Sequence, residues 1–206
     1  MAIQKYEDMG NLELDIIREI GSIGNGNAAT ALSAILNTGV RMALPEVVIM
    51  EFNEALNYLG SPEDVVAAIL VEMSGEIEGI MLFILTQEFA AEIIGKTIGT
   101  VEFDFLEMDG IKNSVLTEIG NIMISSYINA LSSLTNVNVQ LAVPQLAVSM
   151  LGGILSIPMA TMGINSDRIM MITGKFEVDG KEFNGDMLLL PDVASLNVLM
   201  KKLGVD

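Results

Sequence analysis

Histidine and cysteine are both absent from this chain of 206 residues, and their absence excludes whole classes of chemistry. Without histidine there is no Ser-His-Asp or Cys-His catalysis, no phosphohistidine intermediate and no imidazole ligand for a metal. Without cysteine there are no disulfides and no thiolate metal sites, whatever the compartment. Any chemistry must therefore come from carboxylates, amides, hydroxyls or amines.

Basic residues are also scarce, with ten Lys and Arg against 27 Asp and Glu, which gives a net charge of −17. Nucleic acid binding is disfavoured because no basic patch can neutralise phosphates. The acidity is equally consistent with solubility and with adaptation to high salt. No phosphate-binding loop of the P-loop type is present. The glycine-rich residues 21–26 follow a helical pattern rather than the strand that a dinucleotide loop requires.

A membrane span is not indicated, although half of the chain is apolar. The charge-free residues 140–166 contain prolines and glycines that interrupt any single span of about 20 residues. They predict a buried strand, a turn and a short helix. The N-terminus is polar and acidic, unlike a signal peptide. We expect a soluble, cytoplasmic protein without a membrane anchor.

A fifteen-residue segment, 19–33, recurs at 118–132, ninety-nine positions later. Seven of its positions are identical: Glu19/Glu118, Ile20/Ile119, Gly21/Gly120, Ile23/Ile122, Ala31/Ala130, Leu32/Leu131 and Ser33/Ser132. A repeat of this length predicts two duplicated units, about 10–99 and 109–206, within a single domain.

The periodicity of apolar residues predicts the same elements in both units. A long amphipathic helix runs to about residue 37 in the first unit and from about 109 to 134 in the second. Each is followed by an alternating run that contains a proline, Pro45 or Pro144, which predicts edge strands or bulges. Two further strands and a closing helix then follow at 65–73, 76–85 and 87–98, and at 168–175, 181–190 and 192–203.

The predicted fold class is therefore α/β (α+β), two-layered, with a mostly antiparallel sheet, long helices and internal pseudo-twofold duplication. Strand order, and any exchange of strands between the units, does not follow from the pattern. The glycines at 21, 24 and 26 weaken the first helix and permit close packing of the two long helices.

Three polar residues of the second long helix, Ser114, Glu118 and Asn121, are spaced at i, i+4 and i+7 and so lie on one face. We expect this face to be open to solvent. Twenty-two residues separate Asn121 from Pro144. So short a pattern on its own is most simply a solvated helix surface.

The first unit carries the equivalent set, Asp15, Glu19 and Ser22, again followed after twenty-two residues by a proline, Pro45. The two sets differ most at the third position, where Ser22 stands in place of an asparagine. The duplication favours a functional interpretation, although a shared Glu-Ile-Gly is also compatible with helix packing.

This pattern resembles the signature of the CheC/CheX/FliY family, phosphatases that remove the aspartyl phosphate of the chemotaxis response regulator CheY. Ser114, Glu118, Asn121 and Pro144 match every signature position, whereas the first unit departs from it at Ser22. The resemblance covers essentially the whole chain, and the two-site layout is most similar to the CheC group.

The resemblance implies roles for these residues. Asn121 would position a water in line with the phosphorus, and Glu118 would pair with the active-site lysine of the response regulator. An acyl phosphate needs no protein nucleophile, which suits this composition. The Mg²⁺ expected in the reaction would belong to the response regulator, and this chain itself would bind no cofactor. Glu19 would dock a partner at an impaired site where Ser22 supports little turnover.

Two other functions stay open. The chain could be a non-catalytic module that binds a response regulator or the receptor deamidase CheD, which partners CheC proteins. The resemblance leads us to expect an acidic residue in the CheD-binding segment, whereas residues 147–153 carry no charge. A structural component of the flagellar switch is the weaker alternative, since no further domain follows Asp206.

Overall fold

The two halves repeat one order of elements, helix, two strands, helix, two strands, helix, in a computed structural model that describes residues 6–99, 102–161 and 168–204. The first half comprises α1 (Asn11–Leu36), β1 (Val40–Met42), β2 (Glu46–Glu51), α2 (Phe52–Leu59), β3 (Val65–Gly75), β4 (Gly79–Leu85) and α3 (Gln87–Ile98). The second comprises α4 (Gly110–Thr135), β5 (Val139–Leu141), β6 (Gln145–Met150), α5 (Leu151–Thr161), β7 (Arg168–Val178), β8 (Lys181–Pro191) and α6 (Val193–Lys202). Single 3₁₀ turns, Tyr6–Asp8 and Phe105–Glu107, precede the long helices.

The long helices α1 and α4, each of 26 residues, begin and end where capping residues stand. The Asp109 carboxylate accepts hydrogen bonds from the backbone N–H groups of Ile111 and Lys112, both at 2.9 Å, and so satisfies the first turn of α4. Asn37 and Asn136 end the two helices in the left-handed conformation, with φ of 49° and 55°, which asparagine tolerates better than most residues. The predicted boundaries of both helices are confirmed.

The eight strands form one antiparallel sheet in which the halves exchange their outer strands. The short strands β1 and β2 of the first half pair with β7 of the second, and β5 and β6 pair with β3. At the centre, β4 pairs with β8. Pro45 and Pro144 separate the two short strands at each edge, as predicted, because proline cannot donate to the ladder.

Both faces of the sheet are covered by helices. The main core lies between the sheet and α1, α3, α4 and α6, while the smaller α2 and α5 cover the second face. The predicted mixed fold with a mostly antiparallel sheet is confirmed, but the prediction of two layers is wrong, because α2 and α5 form a third layer on the second face. Helix α2 was not predicted because it has only eight residues, fewer than the roughly ten over which a helical period becomes recognisable. The short helix predicted within 140–166 is α5; residues 162–167 lie outside the described part of the chain.

The two long helices pack closely against each other through glycine. At Gly24 an added Cβ would lie 2.9 Å from the Cδ2 atom of Tyr127, and at Gly21 it would overlap the Tyr127 hydroxyl. Gly26, in contrast, faces open space. The predicted role of glycine in helix packing therefore holds for two of the three positions. Among the helices of the described residues, none is long and apolar enough to cross a membrane.

Candidate functional site

The three polar residues that the sequence places on one face of α4 do lie at the surface. Glu118 and Ser114 are exposed and Asn121 is half-buried, whereas the neighbouring Ile119 and Gly120 are buried against the core. The Ser114 hydroxyl donates to the Gly110 carbonyl at 2.8 Å. The glutamate and the amide therefore stand one turn apart on an accessible helix surface.

Neither Glu118 nor the amide nitrogen of Asn121 is paired with another of the described residues. Glu118 forms no ion pair with any described residue, so its carboxylate is available to a cation brought by a partner. The Oδ1 atom of Asn121 accepts a hydrogen bond from the Ser125 hydroxyl at 3.3 Å. The amide nitrogen of Asn121 has no partner among the described residues, so both of its N–H groups can donate outward.

The equivalent face of α1 has a different charge arrangement. Glu19 is exposed and Ser22 is half-buried, as their counterparts are. Asp15, however, forms an ion pair with Arg18, and the α4 positions that correspond to these two residues hold uncharged side chains. Arg18 is thus paired with Asp15, and Glu19 forms no ion pair with any described residue.

Of the two signature prolines, Pro45 packs against the long helix of its half. Pro45 is buried, and an added Cβ at Gly21 would lie 3.0 Å from its Cγ atom. The Asn25 amide donates to the Ala43 carbonyl at 3.1 Å and fastens the loop that contains Pro45 to α1. Pro144 is half-buried at the corresponding edge.

Exposed apolar side chains border both faces at repeat-related positions, which the sequence analysis did not identify. Leu12 and Ile111, at the start of the long helices, are 59% and 65% exposed. Leu44 and Val143, directly before the prolines, are 78% and 82% exposed. A single exposed apolar residue is common at a protein surface. Apolar residues at equivalent positions in both halves are the sequence signal that could have identified these four.

Ser125 is a further residue that the sequence analysis did not identify. It lies one turn after Asn121, and its counterpart in α1 is Gly26, which has no hydroxyl. The available signal was this difference between the copies, read together with the spacing of four residues.

Carboxylates are not clustered into a metal site in the described residues. No group of three or more Asp, Glu, His or Cys side chains there is arranged to hold a metal ion. Asp104 and Asp109, in the acidic connector, instead cap the 3₁₀ turn and α4 through backbone N–H groups.

The fold and the duplicated polar helix face together define a class of protein. A sequence profile of the CheC-like family matches residues 12–49 and 111–148, the two stretches that carry the long helices and their prolines. The chain is 32% identical over 196 residues to the CheY-P phosphatase CheC of Bacillus subtilis (strain 168), covering 93% of this chain and 94% of that protein. This chain therefore belongs to the CheC-like family.

Further comparisons agree with this assignment. The chain is 33% identical over 97 residues to the flagellar motor switch phosphatase FliY of B. subtilis, which covers 47% of this chain and 25% of that protein. In structure it is similar to FliY of Thermotoga maritima, with a TM-score of 0.75, 22% identity and coverage of 94% and 98% of the two chains. The middle domain of FliM from H. pylori gives a TM-score of 0.68 at 16% identity, covering 94% and 99%. The solved structures show that the fold is shared.

Proposed function

We propose that this chain is a phosphatase that hydrolyses the aspartyl phosphate of a CheY-type response regulator, with Glu118 and Asn121 as its working site. The observation that carries the proposal is the accessible face of α4, on which an unpaired carboxylate and an outward-facing amide stand one turn apart. The names of the relatives CheC and FliY as phosphatases support the same reaction.

The reaction requires no nucleophile from this chain. A water attacks the phosphorus, the bond between phosphorus and the aspartyl oxygen breaks, and the electron pair returns to the aspartate as inorganic phosphate leaves. The Asn121 amide can donate to or accept from that water without changing its own protonation. Its contribution is to hold the water in line, which reduces the entropic part of the barrier.

Glu118 serves to dock and orient the partner. Its exposed carboxylate is suited to an ion pair with a lysine of the response regulator, and that pair becomes stronger once the interface excludes water. The response regulator is expected to bring its own Mg²⁺, which offsets the charge on the phosphoryl oxygens when bound. Because Glu118 lies one turn before Asn121, docking at the glutamate brings the amide towards the phosphoryl group.

The α1 face is proposed as a docking site with little turnover. Glu19 keeps the carboxylate, but the short Ser22 side chain cannot extend as far as an asparagine amide. Ser22→Ala should consequently change the rate of hydrolysis very little.

The direct test measures loss of label from a radiolabelled phosphoryl response regulator, with Mg²⁺ present, with and without this protein. We expect faster decay and release of inorganic phosphate in proportion to the protein added. Asn129→Ala is a suitable control, because Asn129 is exposed two turns further along α4 and lies outside the proposed site. Unchanged decay at saturating protein would contradict the proposal.

A second candidate function is a binding module for the response regulator or for CheD without hydrolysis. The observation that favours it is Ser22, which shows that one copy has already lost its amide. Residues 147–153, where the family resemblance suggests CheD binding, span the end of β6 and the start of α5 and expose Met150 at 56%. Stable complex formation combined with unchanged phosphate loss would establish this function instead.

A further inference from the structure

Among the described residues, the Asn121 side chain makes one hydrogen bond, in which Ser125 donates to its Oδ1 atom. Both residues are half-buried and lie on the same side of α4, four positions apart. The terminal torsion of an asparagine otherwise has a broad distribution, so an isolated amide on a helix surface samples several orientations. With Oδ1 on the serine hydroxyl, the amide nitrogen points away from the serine, and the contact restricts rotation of the amide.

The duplicated helix shows what the site is like without this contact. At the α1 face, Asn121 is replaced by Ser22 and Ser125 by Gly26, so the amide and the hydroxyl are absent together. Glu19 and Gly21 are identical to their counterparts, whereas every position from 24 to 30 differs. The α1 face therefore lacks both members of the pair.

We propose that Ser125 is a positioning residue that fixes the Asn121 amide for hydrolysis of the phosphoryl group. This inference rests on the proposed function of Asn121 and adds a residue that itself touches neither the substrate nor the water. If the amide is already oriented before docking, less conformational entropy is lost on reaching the transition state. Loss of the Ser125 hydroxyl should therefore lower the turnover rate and leave binding of the response regulator unchanged.

The first experiment compares Ser125→Ala with the wild type under saturating phosphoryl response regulator. The rate should fall by about three- to tenfold, the range of one neutral hydrogen bond, with KM unchanged. Ser125→Thr, which keeps the hydroxyl, should restore most of the rate. Ser126→Ala is the matched control, since Ser126 is the adjacent half-buried serine and makes no side-chain hydrogen bond among the described residues.

The same substitution in an Asn121→Ala background separates positioning from general damage to the helix. If Ser125 acts through the amide, Ser125→Ala should have no additional effect once Asn121 has been removed. An equal loss in both backgrounds would show a merely structural role and overturn the inference. If Asn121→Ala itself retains full activity, the proposed function fails, whereas an inactive Asn121→Ala with a fully active Ser125→Ala refutes the positioning role alone.

The second experiment rebuilds the pair on α1. An added Cβ at Gly26 has no heavy atom within 4 Å, so a side chain fits there. In an Asn121→Ala background, Ser22→Asn with Gly26→Ser should hydrolyse faster than Ser22→Asn with Gly26→Ala. The alanine variant controls for the gain in helix stability when glycine is replaced. Equal rates in the two rebuilt variants would count against the inference.

Discussion

Asp186, in the middle of β8, provides a test of how burial controls the stability of this acidic protein. It lies on the sheet face beside a cavity of about 450 Å³, and it makes no hydrogen bond or ion pair with any described residue. Burial raises its pKa to about 6. In the strand register, Asp186 of β8 pairs with Thr173 of β7, which pairs with Glu46 of β2. In the other half, the position equivalent to Asp186 is the apolar Leu82, which pairs with Leu70 and, beyond it, Gln145.

The sign of the effect follows from the direction of this pKa shift. The folded protein binds the Asp186 proton more tightly than the unfolded chain, whose carboxyl has the ordinary pKa near 3.9. The stabilising contribution of protonated Asp186 to the folded state is therefore complete below about pH 4. It is lost as the pH rises to about 6 and above. A difference of about two pKa units corresponds to a change in the free energy of unfolding of about 3 kcal/mol. This is the upper limit, because water can enter the cavity, and we expect a change of about 1–3 kcal/mol.

The perturbation is Asp186→Asn, which keeps the shape of the side chain and removes its charge. At pH 7.5 the variant should be about 1–3 kcal/mol more stable than the wild type, and near pH 4 the difference should disappear. Urea denaturation followed by circular dichroism from pH 4 to 8 measures it, since the chain has no Trp for fluorescence. Glu63→Gln, at an exposed position, is the control for loss of one negative charge.

The difference between variant and wild type isolates Asp186 from the other titrating carboxylates. A difference that stays constant with pH would refute the reasoning. So would a variant that is less stable than the wild type at pH 7.5, because it would mean that the carboxylate has a stabilising partner.

Two further predictions concern helix packing and docking. Gly24→Ala should destabilise the fold by about 1–3 kcal/mol because the new methyl group lies 2.9 Å from Tyr127, whereas Gly26→Ala should stabilise it by up to about 1 kcal/mol. Thermal denaturation of the two variants measures this difference. Equal melting temperatures would contradict the packing described for α1 and α4. Ile111→Ser and Val143→Ser should each raise the KM for the phosphoryl response regulator several-fold, because both side chains are exposed at the border of the α4 face. The melting temperature should not fall. An unchanged KM in both variants would exclude these residues from the docking surface.

Most of the helices and strands, with α2 as the exception, could be predicted from the sequence because the pattern occurs twice. A boundary that is ambiguous once, such as the end of the first helix at Thr38-Gly39, becomes clear when Asn37 and Asn136 both stand at the same point. The exchange of outer strands could not be predicted, since alternation determines which face a side chain occupies but not which strand lies alongside. Short β1 and β5 carry too few residues to specify a partner.

The candidate site was predictable only in part. Spacing places Glu118 and Asn121 on one helix face, because an α-helix fixes which positions share a side. The contact of Ser125 with Asn121 depends on side-chain rotamers, which spacing does not determine. The exposure of Val143 depends on how the loop between β5 and β6 lies at the edge of the sheet, which follows from tertiary packing.

The central claim is that Asn121 on α4 positions the water that attacks the phosphoryl group. The most direct measurement is the single-turnover rate of phosphate loss from a phosphoryl response regulator with Asn121→Ala and, in parallel, with Ser22→Ala. Asn121→Ala should lose at least about tenfold, and up to about 100-fold, of the acceleration while it stays folded and still binds the partner. Ser22→Ala should stay within about twofold of the wild type, as expected for a short side chain at a docking site. Full activity in Asn121→Ala together with its loss in Ser22→Ala would contradict the account and assign the working site to α1.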